Sequence, residues 1–453
     1  MKIGHYLYVG GVLAALVVGL GAWNPLATAQ NDDGQGGGTP KFRVDPFWPK
    51  PMPVTVTNGV AHTWVLGEVA GTCVDSHDNV YTFNRGWQVG VTGPNGLQGN
   101  MSGAIVGQDA SASSIPSPPV VAFDSKGDVV ASWGNPALIP APLPNYGAAA
   151  YLPHGAHGCY VDYEGNIWVA GNGDGIVQKY PASGGGGVYT LQIGVKGMCD
   201  GNPASPPAAV FPTCNEVNSL NSSRTLLNEP ADIAVDPKIG PISHKPGDIY
   251  IADGYGNHRV VVFDRTGKYL TQFGTNCGAV SPNCPGGTFG ATGGGHPHCV
   301  VLGNDDLVYA CDRPNSRIEV FTKDGMFIKS IPISSFPGAA DDKRAAILLA
   351  GTRACDMDFY PNLDYLATMS PTKQKFIIDV DLGNDNTWIL NRDTGDVVGA
   401  LGRCGLAPCP GHNAGQFAFG HTAATDSRGN IYVAETITGR RIQKFVKGQG
   451  NDD

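Results

Sequence analysis

Short apolar runs broken by an Asp or Asn and a Gly recur from one end of the chain to the other. Residues 72–83, 159–169, 233–236 with 248–251, 300–309, 357–366 and 424–433 all read as apolar strand, polar turn, apolar strand. That pattern predicts six β-hairpins. A second hairpin follows each one, over 120–134, 176–194, 259–274, 317–331, 387–402 and 441–446. Two hairpins make one four-stranded unit, and six units spaced about 56 to 87 residues apart cannot each bury both faces alone. The closed solution is an all-β, six-bladed β-propeller; an open stack of sheets is the rival and would leave strand edges exposed.

Composition agrees with this reading. Gly 64 and Pro 34 in 453 residues make turns dense, and 15% charged against 42% hydrophobic residues leaves enough apolar material for a large core. Long helices are not expected. A formal net charge of -9 with no Lys/Arg run excludes a nucleic-acid footprint.

The N-terminus carries Lys2, then an uncharged apolar run over 6–23, then Ala27-Thr28-Ala29. This is the layout of a secretory signal peptide over 1–29, with an uncleaved anchor as the alternative. The expected organisation is a flexible segment over 30–50, a propeller over 51–447 and a disordered tail over 448–453. Localisation would be secreted or extracytoplasmic, with no stable membrane span after cleavage.

Eleven cysteines fit an oxidising compartment, and the odd number leaves a thiol over. Three pairs close in sequence, Cys199 with Cys214, Cys277 with Cys284 and Cys404 with Cys409, are expected to staple loops. Cys73, Cys159, Cys299, Cys311 and Cys355 lie in apolar runs and are expected to act as small buried hydrophobes.

Comparing the units exposes candidate chemistry. His157 and His421 each stand five residues before the turn Asp of a first hairpin, Asp162 and Asp426, and His298 opens the matching run of the fourth unit. One position in three blades would aim three imidazoles at the central channel. Three neutral His with an open fourth position suit a catalytic zinc, whereas isolated strand-capping His would not coincide in this way. His154 and His296 are rival ligands.

The stretch 247–274, containing Asp253-Gly-Tyr-Gly-Asn-His-Arg259, resembles an NHL repeat. Together with Phe83-Asn-Arg-Gly86, Tyr151-Leu-Pro-His154, Pro297-His298, Asp312-Arg313 and Gly420-His421, it makes blades two to four and six similar to peptidyl-α-hydroxyglycine α-amidating lyase. That resemblance implies zinc on His157, His298 and His421, substrate contacts from Arg85 and Arg313, and a catalytic Tyr255. The implied reaction cleaves a carbinolamide, with a small-molecule or peptide C-terminal substrate, to an amide and glyoxylate. The family's channel calcium takes an Asp directly after the third His; Thr422 stands there, so a calcium site is doubtful unless Asp232 or Asp356 compensates. Gly256 also stands where the family often has Cys, and nothing in the chain resembles the copper monooxygenase that accompanies the lyase.

Two other functional classes compete. A non-catalytic NHL propeller binding a protein or glycan needs no metal, and a calcium-dependent lactonase would want carboxylates where these His stand.

Overall fold

The computed structural model describes residues 39–57, 59–85, 114–133, 152–153, 155–173, 175–196, 198–201, 221–278, 284–290, 296–333, 356–360, 374–406 and 410–448. Six four-stranded antiparallel sheets are formed. Their inner strands are Glu68–Val74, Ala156–Val161, Pro230–Val235, Val300–Leu302, Asp356–Tyr360 and Gly420–Thr425.

Burial follows position within a blade. The second and third strands are packed on both faces, so Ile249–Asp253 and Arg259–Phe263 are buried throughout, whereas the outer strand Val129–Trp133 is largely exposed. Continuous apolar runs in the middle strands reflect this two-sided burial. The turns are closed by the recurring Asp. In blade two, Asp162 Oδ1 accepts the backbone N–H groups of Glu164 (3.0 Å) and Asn166 (2.8 Å), and Gly165 turns the chain at φ +82°.

Circular closure is shown by the core. Six apolar clusters occur, each built from two consecutive blades, and one of them joins Val69, Val80 and Phe123 of blade one to Tyr432, Ala434 and Ile442 of blade six. A six-bladed propeller results, and the open stack is excluded. Among the described residues no helix is long and apolar enough to cross a membrane.

Three expectations are corrected. The segment 30–50, read as flexible, contains the strand Phe42–Asp45, which pairs with Arg441–Lys447 as the outer strand of blade six. Its four residues are too few for periodicity to reveal. In blade five the partner of Asp356–Tyr360 is Phe376–Asp381 and not the run near Tyr365, because the apolar residues after Pro361 mimic a return strand. Cys73–Cys159 and Cys299–Cys311 are disulfides instead of isolated hydrophobes, with Cα separations of 5.5 Å and 4.9 Å. The first joins residues 86 apart in sequence, which only the packing of neighbouring blades brings together.

Cys277–Cys284 forms as expected. Cys199 and Cys404 are also disulfide-bonded, while Cys214, Cys355 and Cys409 lie outside the described residues, as do the N-terminal 38 residues and the last five. A small extra sheet, Val54–Thr57, Val60–Val65 and Ser114–Pro116, stands beside blade one.

Candidate metal centre

Inner strands of four blades carry the same irregularity. Pairing to the second strand shifts between Val69 and Gly71, between Pro230 and Asp232, and between Gly420 and Thr422, and blade two shifts opposite its 156–159 segment. Such a bulge re-aims one residue out of the ladder. The re-aimed residues are Ala70, His157, Ala231 and His421. His298 enters the channel just ahead of Val300–Leu302, its own N–H donating to Cys311 O at 2.9 Å.

His157, His298 and His421 converge, with one ring nitrogen of each lying within 4.8 Å of the others, and all three are buried. Ring centroids are 4.5 to 5.2 Å apart. Two of the rings are oriented across blade seams: His157 Nδ1 lies 2.7 Å from Ala231 O in the next blade, and His421 Nδ1 lies 2.7 Å from Ala70 O in the blade after it. A carbonyl can only accept, so Nδ1 holds the proton and Nε2 offers its lone pair. Burial holds His421 down to about 3, with Arg85 adding to the effect. Burial likewise holds His157 well below the usual histidine range, followed by the neighbouring His421 and His298 and then Arg85. Buried, neutral imidazoles with a fixed tautomer are the donor set a divalent metal requires.

Tyr255 completes the cluster. Its hydroxyl lies 2.8 Å from His298 Nε2 and 3.2 Å from His157 Nε2. Arg313 Nη1 donates to the same oxygen at 3.3 Å, and the guanidinium carbon sits 5.2 Å from the ring centroid. Arg85 donates from Nε to Ala156 O at 2.7 Å, which holds its guanidinium beside the strand carrying His157. The structure therefore brings Tyr255 into hydrogen-bonding range of the triad and Arg313 into range of the Tyr255 hydroxyl, and sets Arg85 beside the strand that carries His157.

The rival ligands separate. His296 is stacked flat on His258, with centroids 3.9 Å apart at 7°, and is not part of the triad. His154 lies outside the described residues.

The Asp253 to Arg259 motif divides by role. Arg259 Nε reaches Asp253 at 2.9 Å with both side chains wholly buried, Asn257 Nδ2 donates to Asp253 at 2.8 Å, and Asn228 N–H donates to it at 2.7 Å. These residues build the turn, and Tyr255 is the one that faces the His cluster. Gly254 has no space for a Cβ, which would overlap Pro297 O, and its carbonyl accepts the His296 N–H at 2.7 Å. The tyrosine turn is thereby docked on the segment that delivers His298. An equivalent acid–arginine clamp recurs as Asp312–Arg317 (2.8 Å) and Glu435–Arg441 (2.7 Å).

Sequence comparison points the same way. The mouse peptidyl-glycine alpha-amidating monooxygenase is 27% identical over 274 residues, which are 60% of this chain and 22% of that protein. The Drosophila melanogaster peptidyl-alpha-hydroxyglycine alpha-amidating lyase 1 is 26% identical over 301 residues, 65% of this chain and 44% of the relative. This chain is similar to amidating lyases. It spans about a fifth of the mammalian relatives' length and less than half of the fly protein's.

No family model matches the chain. Among solved structures, a virginiamycin B lyase from Staphylococcus aureus is 11% identical with TM-score 0.40, covering 90% of this chain and 89% of that one. A gluconolactonase from Xanthomonas campestris is 12% identical with TM-score 0.44, covering 90% and 99%.

Two groups at the site escaped the sequence. The Ala70 and Ala231 carbonyls orient His421 and His157, and a backbone acceptor leaves no side-chain signature; the only hint is that Ala70-Gly71 and His157-Gly158 occupy the same bulge. Glu68 pairs directly opposite Arg85 in the blade-one ladder. Burial pushes its carboxyl up, against the opposing pull of Arg85 and Arg440.

Proposed function

We propose that the protein is a zinc-dependent lyase that cleaves the N–Cα bond of an α-hydroxyglycine-type carbinolamide, releasing an amide and glyoxylate. The observation that carries this reading is the Tyr255 hydroxyl, held between His298 Nε2 and His157 Nε2 inside the buried triad with Arg313 donating to it. The Drosophila melanogaster relative is named for the lyase activity, which supports the same assignment.

His157, His298 and His421 would hold the metal, which when bound acts as a Lewis acid that eases loss of the substrate hydroxyl proton. Tyr255 is the base: its oxygen lies 2.8 Å from His298 Nε2 and 3.2 Å from His157 Nε2, where a hydroxyl held at the triad comes within its reach, and the Arg313 guanidinium donates to the same oxygen. As the O–H bond breaks, its electron pair forms the C=O of glyoxylate, the C–N bond breaks, and the amide nitrogen takes up a proton. Arg85 binds the substrate carboxylate; a guanidinium matches a planar carboxylate in bidentate fashion. An extracytoplasmic location is proposed from the disulfides.

The test is glyoxylate release from an α-hydroxyglycine peptide by purified protein, before and after chelation and after zinc is restored. Zinc-dependent release is expected. Protein that purifies without stoichiometric zinc and releases no glyoxylate when zinc is supplied would instead indicate a non-catalytic propeller binding a protein or glycan.

A further inference from the structure

Each blade's hydrogen-bonded sheet is complete in itself, so adjacent inner strands meet through side chains without sharing a ladder. Among the described residues, the seam between blades one and two differs in that Cys73–Cys159 joins the two inner strands covalently. Three residues before Cys73 is Ala70, whose carbonyl orients His421, and two residues before Cys159 is His157 itself.

The strands approach closely at this point. A Cβ on Gly71 would overlap His157 O and lie 3.2 Å from Cys159 Cβ. On the far side of the same strand, a Cβ on Gly158 would overlap the Asp232 carboxylate and Ala231 O, the carbonyl that orients His157. Cys73 is buried, at 6% exposure. Two of the three metal-site imidazoles therefore depend on the spacing of one seam, His157 through its own strand and His421 through its acceptor.

We infer that the Cys73–Cys159 disulfide is a positioning staple for the His triad, fixing the seam so that His157 and His421 stay at metal-binding separation. A crosslink between residues this far apart in sequence also restricts the unfolded chain, so a purely structural role would lower thermal stability and leave metal affinity in the folded state unchanged. A positioning role lowers affinity in protein that is still folded. The inference rests on the metal-binding reading above.

The experiment measures zinc affinity, by chelator competition at a temperature well below unfolding, for the wild type, a Cys73→Ala/Cys159→Ala variant and a Cys277→Ala/Cys284→Ala control, with circular dichroism confirming the fold of each. The expected result is binding weakened at least about tenfold in the first variant, the lower end of what removing outer-shell support of a metal site costs, and unchanged in the control. Equal affinity in wild type and folded Cys73→Ala/Cys159→Ala protein would overturn the staple and leave the zinc reading intact; a wild type that binds no zinc overturns both. Should the variant not fold, wild-type protein is titrated with a water-soluble phosphine and the opened disulfides are mapped by mass spectrometry. Zinc release that follows opening of Cys73–Cys159 supports the staple, and zinc retained after that bond has opened rejects it.

Discussion

His421, in the last blade, donates its Nδ1 proton to the carbonyl of Ala70, in the first, across 2.7 Å. The ring closes at this seam, so the candidate metal centre and the closure of the fold share a contact. If the propeller opened here, His421 would lose its orientation together with its neighbours.

His298→Ala is expected to abolish stoichiometric zinc, since only two imidazoles would remain in the cluster. Metal analysis of the purified variant decides this, and full zinc occupancy would sink the assignment of the triad.

Tyr255→Phe is expected to lower kcat by at least about tenfold, a conservative bound given that positioned acid–base groups usually contribute 10² to 10⁴. Its hydroxyl is the only atom removed, so zinc content and the melting temperature should stay near wild type. Glyoxylate release at the wild-type rate would reject the base.

Two arginines in neighbouring blades should behave oppositely. Arg259 is wholly buried against Asp253, and Arg259→Ala leaves that buried carboxylate without its cation, with only the Asn228 and Asn257 donors, at a cost of roughly 3–5 kcal/mol. Arg313 packs on Tyr255, so Arg313→Ala should unfold near the wild-type denaturant midpoint and lose turnover. Urea melts of the pair check the contrast, and it fails if Arg313→Ala proves as unstable as Arg259→Ala.

The channel is expected to hold no tight calcium. Thr422 is buried beside His421 and offers a neutral hydroxyl where an ionised ligand would add affinity for a hard cation. Calorimetric titration of metal-free protein with calcium should give no site tighter than micromolar; a tighter one would mean that a carboxylate such as Asp232 takes over.

Much of this was legible in the chain. The Asp-x-x-Gly turns marked the hairpins because a carboxylate that closes its own turn is a local device, visible within five residues, as at Asp162. The triad was legible because His157 and His421 keep one register relative to those turns. What escaped depends on contacts between units. Phe42–Asp45 becomes a strand only when Arg441–Lys447 lies beside it, and Cys73 meets Cys159 only when two blades pack. Blade five misled for a simpler reason: an apolar run near its first strand looked like the partner that the chain supplies at Phe376–Asp381.

The strand pairing of blade six also sets an order of events during synthesis. Phe42–Asp45 leaves the ribosome about 400 residues ahead of its partner Arg441–Lys447, which at ~5–20 residues per second is a wait on the order of tens of seconds. Blades two to four can assemble meanwhile, but the first blade keeps one apolar flank uncovered until the sixth emerges. His421 arrives in that final stretch. A prematurely terminated polypeptide would therefore lack one of the three clustered imidazoles and expose a sticky flank at once, leaving the candidate site incomplete and the chain conspicuous to chaperones and proteases.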